Sequence, residues 1–231
     1  MSAPVQAVVF DMDGVIVETE AVWDGVRREL AAEHGRPWPP GTQRRMMGMS
    51  SGEWTALMHD ELGIPLPPPD IARQVVGRLG DRYRLSLPLI PGAAAAVRGL
   101  ARRWPMAVAA SSNRELIELV LELAGIAGAF RAVVASEEVG RGKPAPDVYL
   151  EACRRLGADP ARSAAVEDST NGLLAARAAG MRVIAVPNRE YPPRPEALGA
   201  ADRTLPSIAW LWPAVVDPAA HPAAGGASAP G

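Results

Sequence analysis

The stretch Val8-Val9-Phe10-Asp11-Met12-Asp13-Gly14 places two carboxylates at the end of an apolar run. Residues 5–10 are mainly apolar and β-branched, so they predict a short buried strand. Carboxylates at positions i and i+2 leave a strand on the same side, which is unfavourable unless a cation or another partner offsets the two like charges. The segment therefore predicts a divalent-metal site at the carboxyl edge of a sheet, where open α/β sheets bind ligands. The alternative is a solvated acidic turn.

The length and composition of the chain limit its class. The 231 residues fit one domain, or a domain with a small insert, and 48% hydrophobic residues can form a sizeable core. A formal charge of −2 gives no bulk attraction to nucleic acid or anionic membranes. There is no signal-peptide pattern, no apolar run long enough to span a bilayer, and only one cysteine, Cys153. We therefore expect a cytoplasmic monomer without nucleic-acid or membrane partners.

The second half of the chain alternates short apolar strands with helical patterns. Strands are predicted at residues 106–110, 132–135, 163–166 and 183–186, and helices at residues 113–123, 147–156 and 171–179. This alternation predicts an α/β fold with a doubly wound parallel sheet and helices on both faces.

A helical segment without a convincing strand separates the first strand from this region. Helices are predicted at residues 19–33, 42–47, 52–62 and 70–83, with proline-rich breaks between them. Because this insert directly follows the acidic motif, we expect it to cover the strand edge as a lid; the alternative is a helical appendage that only packs. We predict a core of residues 1–17 and 88–216, a cap of residues 18–87, and a disordered tail of residues 217–231, which is rich in Ala, Pro and Gly.

Polar residues also follow other predicted strands. Ser111 follows residues 106–110, and Ser112 with Glu115 matches a capping box, so a helix is expected to begin just beyond Ser111. Free N–H groups at a helix start suit a phosphate, and Ser111 would add a hydroxyl donor. The alternative is that both serines only cap the helix.

Two charged sites complete this pattern. Lys143 lies in the glycine- and proline-rich stretch Gly140–Asp147, from which it could act as a point charge against a phosphoryl group. Glu167 and Asp168 end the strand at residues 163–166, and one of them could complete a Mg²⁺ site. Taken alone, each has a simpler explanation: a solvated lysine, or an Asp168 that caps the next helix.

Together these motifs resemble those of the haloacid dehalogenase-like superfamily. The four motifs are Asp11-Met12-Asp13-Gly14, Ser111 after an apolar strand, Lys143 in Gly-Lys-Pro-Ala-Pro-Asp, and Glu167-Asp168-Ser169. Their order and wide spacing carry the resemblance over nearly all of the chain except the tail. The helical insert resembles the cap of the subgroup that contains β-phosphoglucomutase and many sugar-phosphate phosphatases.

The resemblance implies a role for each motif residue. Asp11 would attack phosphorus, and Asp13 would protonate the leaving oxygen and then activate water. Mg²⁺ would bind the carboxylates of Asp11 and Asp168 and the backbone carbonyl of Asp13, with Glu167 close by. The remaining motif residues would bind the phosphoryl oxygens; they are Ser111, Ser112, Asn113 and Lys143.

Cap residues would set the specificity, and the sequence offers several candidates. These are Glu18, Trp23, Arg44, Arg45, Met47, Gly48, Met49 and Ser51. In the mutase, an arginine that helps to hold a second phosphate stands where this chain has Ser51, and a histidine stands near Trp23. Both departures favour a phosphatase of a small phosphorylated metabolite over a mutase. A module that binds a phosphorylated ligand without catalysis is the third alternative.

Overall fold

The computed structural model describes residues 4–218 and contains one parallel six-stranded sheet in the order β3-β2-β1-β4-β5-β6. The strands are β1 (Ala7–Phe10), β2 (Met106–Ala110), β3 (Ala132–Ala135), β4 (Ser163–Glu167), β5 (Arg182–Ala185) and β6 (Arg203–Thr204). The predicted α/β fold class is thus confirmed. The short edge strand β6 is an addition to the prediction.

Strand β1 lies at the centre of the sheet, at the point where the strand order reverses. Phe10 is in register with Val108 of β2 on one side and with Val166 of β4 on the other. The residues that follow these three strands therefore meet at one edge. This reversal point is where doubly wound sheets bind their ligands.

Two helical layers cover the sheet because successive side chains of a strand point to opposite faces. Val8 and Phe10 pack into a core that includes residues of α5 (Ala93–Ala101) and α6 (Arg114–Leu123). Val9 packs on the opposite face with residues of α7 (Asp147–Leu156) and α8 (Thr170–Ala178). Helix α5, which the sequence analysis did not predict, is therefore part of the core.

Helices also form the insert between β1 and β2. They are α1 (Glu20–Glu33), α2 (Thr42–Met46), α3 (Ser51–Ala56), which continues as a π-helical turn over Leu57–Glu61, and α4 (Pro68–Leu85). Helix α4 packs against α1 and α3. Buried residues such as Trp54, Met58 and Leu79 join the same apolar cluster as Phe10, so the cap packs on the core. The predicted domain boundaries remain predictions.

The chain after β5 adds two short helices, α9 (Pro195–Leu198) and α10 (Pro213–Val216). Asp217, the first residue of the predicted tail, is buried, and its Oδ2 accepts a hydrogen bond of 3.0 Å from the backbone N–H of Val5. Residues 219–231 lie outside the described residues. Within residues 4–218 we find no helix that is both long and apolar enough to cross a membrane.

Candidate active site

Most of the predicted motif residues line one cleft between the cap and the carboxyl edge of the sheet. The core side of the cleft is lined by Asp11, Asp13, Ser111, Ser112, Lys143, Asp168 and Ser169. The cap side is lined by Glu20, Trp23, Arg27, Gln43, Met46, Met47, Gly48, Met49 and Trp54. Four separate stretches of the core thus contribute to a single site.

Lys143 connects the first and last motifs. Its Nζ lies 2.9 Å from Asp11 Oδ1 and 2.6 Å from Glu167 Oε1, and all three side chains are buried. Burial alone would lower the pKa of Lys143, but the charges of Asp11 and Glu167 raise it above its ordinary value. Lys143 therefore remains a cation beside Asp11, whose own pKa is raised to about 8 by burial and by the charge of Glu167.

Glu167 is fully buried and accepts hydrogen bonds from five donors. Its Oε1 accepts from Lys143 Nζ (2.6 Å) and from the Tyr149 hydroxyl (2.8 Å). Its Oε2 accepts from the backbone N–H groups of Asp168 (2.9 Å) and Ser169 (3.0 Å) and from Ser169 Oγ (3.1 Å). Burial alone would raise the pKa of Glu167, but Lys143 and these bonds lower it. Glu167 thus acts as a charged anchor for Lys143.

The carboxylates of Asp11, Glu167 and Asp168 can hold a metal ion. One oxygen from each lies within 4.8 Å of the others, and all three residues are buried. Asp168 Oδ1 is buried and has no hydrogen-bond partner among the described residues. Burial, followed by the charges of Glu167 and Asp11, raises the pKa of Asp168 well above its usual value. A divalent cation would offset this repulsion, and the all-oxygen donor set suits Mg²⁺.

Glycine is required beside Asp168. Gly14 has a φ of +78°, and a Cβ at this position would lie 1.9 Å from Asp168 Oδ2. The glycine of the first motif therefore lets the backbone pass next to the carboxylate of the last motif.

The carboxylate of Asp13 accepts hydrogen bonds from two hydroxyl groups and is not one of the three carboxylates of the acid cluster. Thr19 Oγ1 donates to Asp13 Oδ1, and Ser112 Oγ donates to Asp13 Oδ2 at 2.7 Å. The predicted capping box at Ser112 is wrong, because α6 begins at Arg114 with Asn113 as its N-cap. Ser112 thus orients Asp13 in this structure.

Ser111 and Asn113 connect the core to the cap. Ser111 Oγ donates to the backbone carbonyl of Gly48 at 3.2 Å, and Ser51 Oγ donates to Asn113 Oδ1 at 2.9 Å. Asn113 does not line the cleft, and its Nδ2 donates to Glu137 Oε2 at 2.6 Å. Ser50 and Glu53 form a capping box at the start of α3.

The predicted cap residues divide into two groups. Trp23, Met47, Gly48 and Met49 line the cleft. The remaining candidates, which are Glu18, Arg44, Arg45 and Ser51, do not line it. Glu18 instead accepts a hydrogen bond of 3.2 Å from Asn188 Nδ2, and Arg45 forms an ion pair of 2.6 Å with Glu61.

Sequence reasoning missed four polar and aromatic residues of the cap. Together with Trp23, they form the surface that we call the cap roof: Glu20, Trp23, Arg27, Gln43 and Trp54. Arg27 Nη1 donates to Gln43 Oε1 (3.0 Å), and Gln43 Nε2 donates to Glu20 Oε2 (2.8 Å). Spacing could have indicated part of this surface, because Glu20, Trp23 and Arg27 recur at i, i+3 and i+7 on one helix face.

Comparisons with known proteins agree on one family. The family model described as haloacid dehalogenase-like hydrolase matches residues 5–180. Hexitol phosphatase B of Escherichia coli K12 is 32% identical, and the match covers 91% of this chain and 97% of that protein. The bifunctional riboflavin kinase/FMN phosphatase of Arabidopsis thaliana is 30% identical over 87% of this chain, which spans only 53% of that protein.

A solved structure gives the same result. A mutant of CbbY from Rhodobacter sphaeroides, in complex with xylulose-(1,5)bisphosphate, is 32% identical and superposes with a TM-score of 0.79. The match covers 90% of this chain and 96% of that one. The likeness therefore extends over both the core and the cap.

Proposed function

Since this chain belongs to the haloacid dehalogenase-like hydrolase family, we propose that it is a Mg²⁺-dependent phosphatase that acts through an aspartyl-phosphate. The family and its named relatives support a phosphoric monoester hydrolase. One observation carries the finer proposal: Asp11 contacts Lys143 at 2.9 Å in a cleft that also holds Asp13 and the unpartnered Oδ1 of Asp168. The residues that we propose as nucleophile, acid–base group and phosphate-binding cation thus line one cleft.

We propose that the reaction has two steps. In the first, an oxygen of Asp11 attacks phosphorus and the bond to the leaving oxygen breaks, while Asp13 gives that oxygen a proton. In the second, Asp13 takes a proton from a water molecule, which attacks phosphorus and releases phosphate from Asp11. Lys143 neutralises charge on the phosphoryl oxygens in both steps.

The acid cluster supports the proposed cofactor. Asp11 and Asp168 would hold Mg²⁺ together with the backbone carbonyl of Asp13, and Glu167 would keep its position through its five hydrogen bonds. When bound, the ion would offset the charge of the carboxylates and of the phosphoryl group.

We propose a sugar phosphate or a related small metabolite as the substrate. Hexitol phosphatase B and the phosphorylated carbohydrates phosphatase of Thermotoga maritima, which is 30% identical, support this class. The mutase alternative has less support, since Ser51 hydrogen-bonds Asn113 and does not line the cleft. A cytoplasmic monomer remains a prediction.

The experiment is to measure phosphate release from a panel of phosphomonoesters, with Mg²⁺ and with EDTA. Asp11→Asn removes the nucleophile and should lower kcat by about a thousandfold or more. The matched control is Asp81→Asn, at a carboxylate with 79% exposure, which should leave kcat unchanged. Metal-independent release, or full activity of Asp11→Asn, would contradict the mechanism. Conversion of β-glucose 1-phosphate without hydrolysis would favour the mutase, and tight binding without turnover would favour the binding module.

A further inference from the structure

The cap roof contains a buried cation that the proposed mechanism does not use. Arg27 is 4% exposed, and its Cζ lies 4.4 Å from the ring centre of Trp23 and 4.6 Å from that of Trp54. Burial lowers its pKa to about 10, so it stays charged at neutral pH. The two indole rings compensate for part of the lost hydration through cation–π attraction.

The guanidinium has unused hydrogen-bonding capacity. Among the described residues, its only hydrogen-bond acceptor is Gln43, its Nε is buried without a partner, and it forms no ion pair. A guanidinium carries five N–H donors, and a buried donor without a partner is costly. Since Arg27 lines the cleft, a bound molecule could accept hydrogen bonds from the donors that remain free.

A complementary acceptor lies at the other end of the same chain of contacts. Gln43 accepts from Arg27 and donates to Glu20, and all three residues line the cleft. The amide thereby fixes the relative positions of a donor and an acceptor. A hydroxyl group both donates and accepts, so neighbouring hydroxyl groups match such a pair.

We propose that Arg27, Gln43 and Glu20 recognise the hydroxyl groups of a polyhydroxylated leaving group. This inference rests on the proposed function, because it requires the phosphoryl group to lie at Asp11 with the rest of the substrate beneath the cap roof. Arg27 donates to one hydroxyl group and Glu20 accepts from another. Gln43 positions both partners.

The charges of the cleft favour neutral hydroxyl groups over a second anionic group. The lining contains four acidic side chains, which are Asp11, Asp13, Glu20 and Asp168, and two basic side chains, which are Lys143 and Arg27. A divalent metal would offset the excess of two acidic side chains over basic ones. Lys143 would then bind the transferred phosphoryl group. A second anion near Arg27 would also approach Glu20. Burial raises the pKa of Glu20 to about 7, so above that pH its negative charge would disfavour the second anion.

The test compares substrates that differ only beyond the phosphate group. The probes are hexitol 6-phosphate, n-hexyl phosphate with the same number of carbons but no hydroxyl groups, and a hexose bisphosphate. The variants are Arg27→Met and Arg27→Lys, the second of which keeps a positive charge beside the two rings but loses the planar fork. The matched control is Arg28→Met, at an exposed arginine on the same helix.

We expect the wild type to prefer hexitol phosphate over hexyl phosphate in kcat/KM. Both Arg27 variants should reduce this preference by roughly 10- to 100-fold, mainly through KM, while Arg28→Met retains it. An unchanged preference, or an equal loss for both substrates, would overturn the proposal. A preference for the bisphosphate that disappears in Arg27→Met would show that Arg27 binds an anion instead.

A binding measurement separates failure of this inference from failure of the proposed function. If the wild type hydrolyses none of the probes, the phosphatase proposal fails, and calorimetry on Asp11→Asn still tests the cap roof. In that background, Arg27→Met should weaken the binding of hexitol phosphate about tenfold or more and leave that of hexyl phosphate unchanged. Equal binding of both probes to the two proteins would refute recognition by Arg27.

Discussion

Gly172→Ala should damage both the stability and the activity of this protein. Gly172 is buried in α8, and a Cβ at this position would lie 1.6 Å from Glu167 Oε1 and 1.8 Å from Cδ. One of the two groups must therefore move. Because five donors hold the Glu167 carboxylate, its displacement would break several charged hydrogen bonds together, including that of Lys143.

The expected loss of stability can be estimated from these contacts. Overpacking costs about 1–3 kcal/mol, and each lost hydrogen bond to a charged group costs about 1.5–3 kcal/mol. Against this, alanine is favoured over glycine in a helix by about 0.5–1 kcal/mol. With one or two bonds lost, the free energy of unfolding should fall by about 4 kcal/mol.

Urea unfolding followed by circular dichroism measures this change. With an m-value near the upper typical limit of about 3 kcal/mol/M, the midpoint should fall by roughly 1.3 M. Activity should drop about a hundredfold under native conditions, because Lys143 would lose its alignment with Asp11. The matched control is Gly77→Ala, at an exposed helical glycine with no atom within 4 Å of its added Cβ, which should raise the midpoint slightly.

The comparison between the two alanine variants decides the outcome. If Gly172→Ala unfolds within about 0.3 M of the wild type and retains at least half of its activity, the helix can shift away from Glu167 at little cost. In that case, close packing of α8 would not maintain the position of Lys143.

Three further predictions concern single side chains. Tyr149→Phe removes one hydrogen-bond donor to the buried Glu167 and should lower the free energy of unfolding by about 1.5–2 kcal/mol. The control is Tyr191→Phe, which should leave it unchanged because the Tyr191 hydroxyl forms no hydrogen bond with the described residues. Equal urea midpoints for the two variants would contradict this prediction. Burial raises the pKa of Glu20 from 4.5 to about 7. As the pH rises, the unfolded state therefore loses the Glu20 proton at a lower pH than the folded state does. The free energy of unfolding of the wild type relative to Glu20→Gln should thus fall between pH 4.5 and about 7, by at most about 3 kcal/mol. Parallel curves of stability against pH for the two proteins would exclude this. Mg²⁺ should raise the melting temperature of the wild type but not of Asp168→Asn, so an equal shift would argue against that ligand.

The α/β core was predictable because its signals are local in the sequence. The apolar strands that directly precede Asp11, Ser111 and Asp168 could be recognised one by one, and parallel strands must bring their carboxyl ends to one edge. Helix α5 was missed, since an alanine-rich segment at 93–96 has no strong polar face. The start of α6 was misplaced because the sequence pattern suits Ser112 as the N-cap, whereas in the structure its hydroxyl binds Asp13.

The cap roof was harder to predict because it depends on tertiary contacts. Arg27 would be solvated in most amphipathic helices, whereas in this structure it is buried beside Trp23 of its own helix and Trp54 of α3. The pairing of Gln43 with Glu20 joins residues that are 23 positions apart. By contrast, Arg44 and Arg45 were predicted as cap residues that set the specificity, and neither lines the cleft.

The hydrogen bond from Ser111 to the Gly48 carbonyl has a consequence for product inhibition. A hydroxyl has one proton to donate, so Ser111 can bind either the cap or a phosphoryl oxygen, but not both at full strength. Orthophosphate, the released product, would therefore compete with the cap for the same donor. We expect added phosphate to speed amide hydrogen exchange in the loop at residues 47–51, and unchanged exchange at saturating phosphate would argue against this competition.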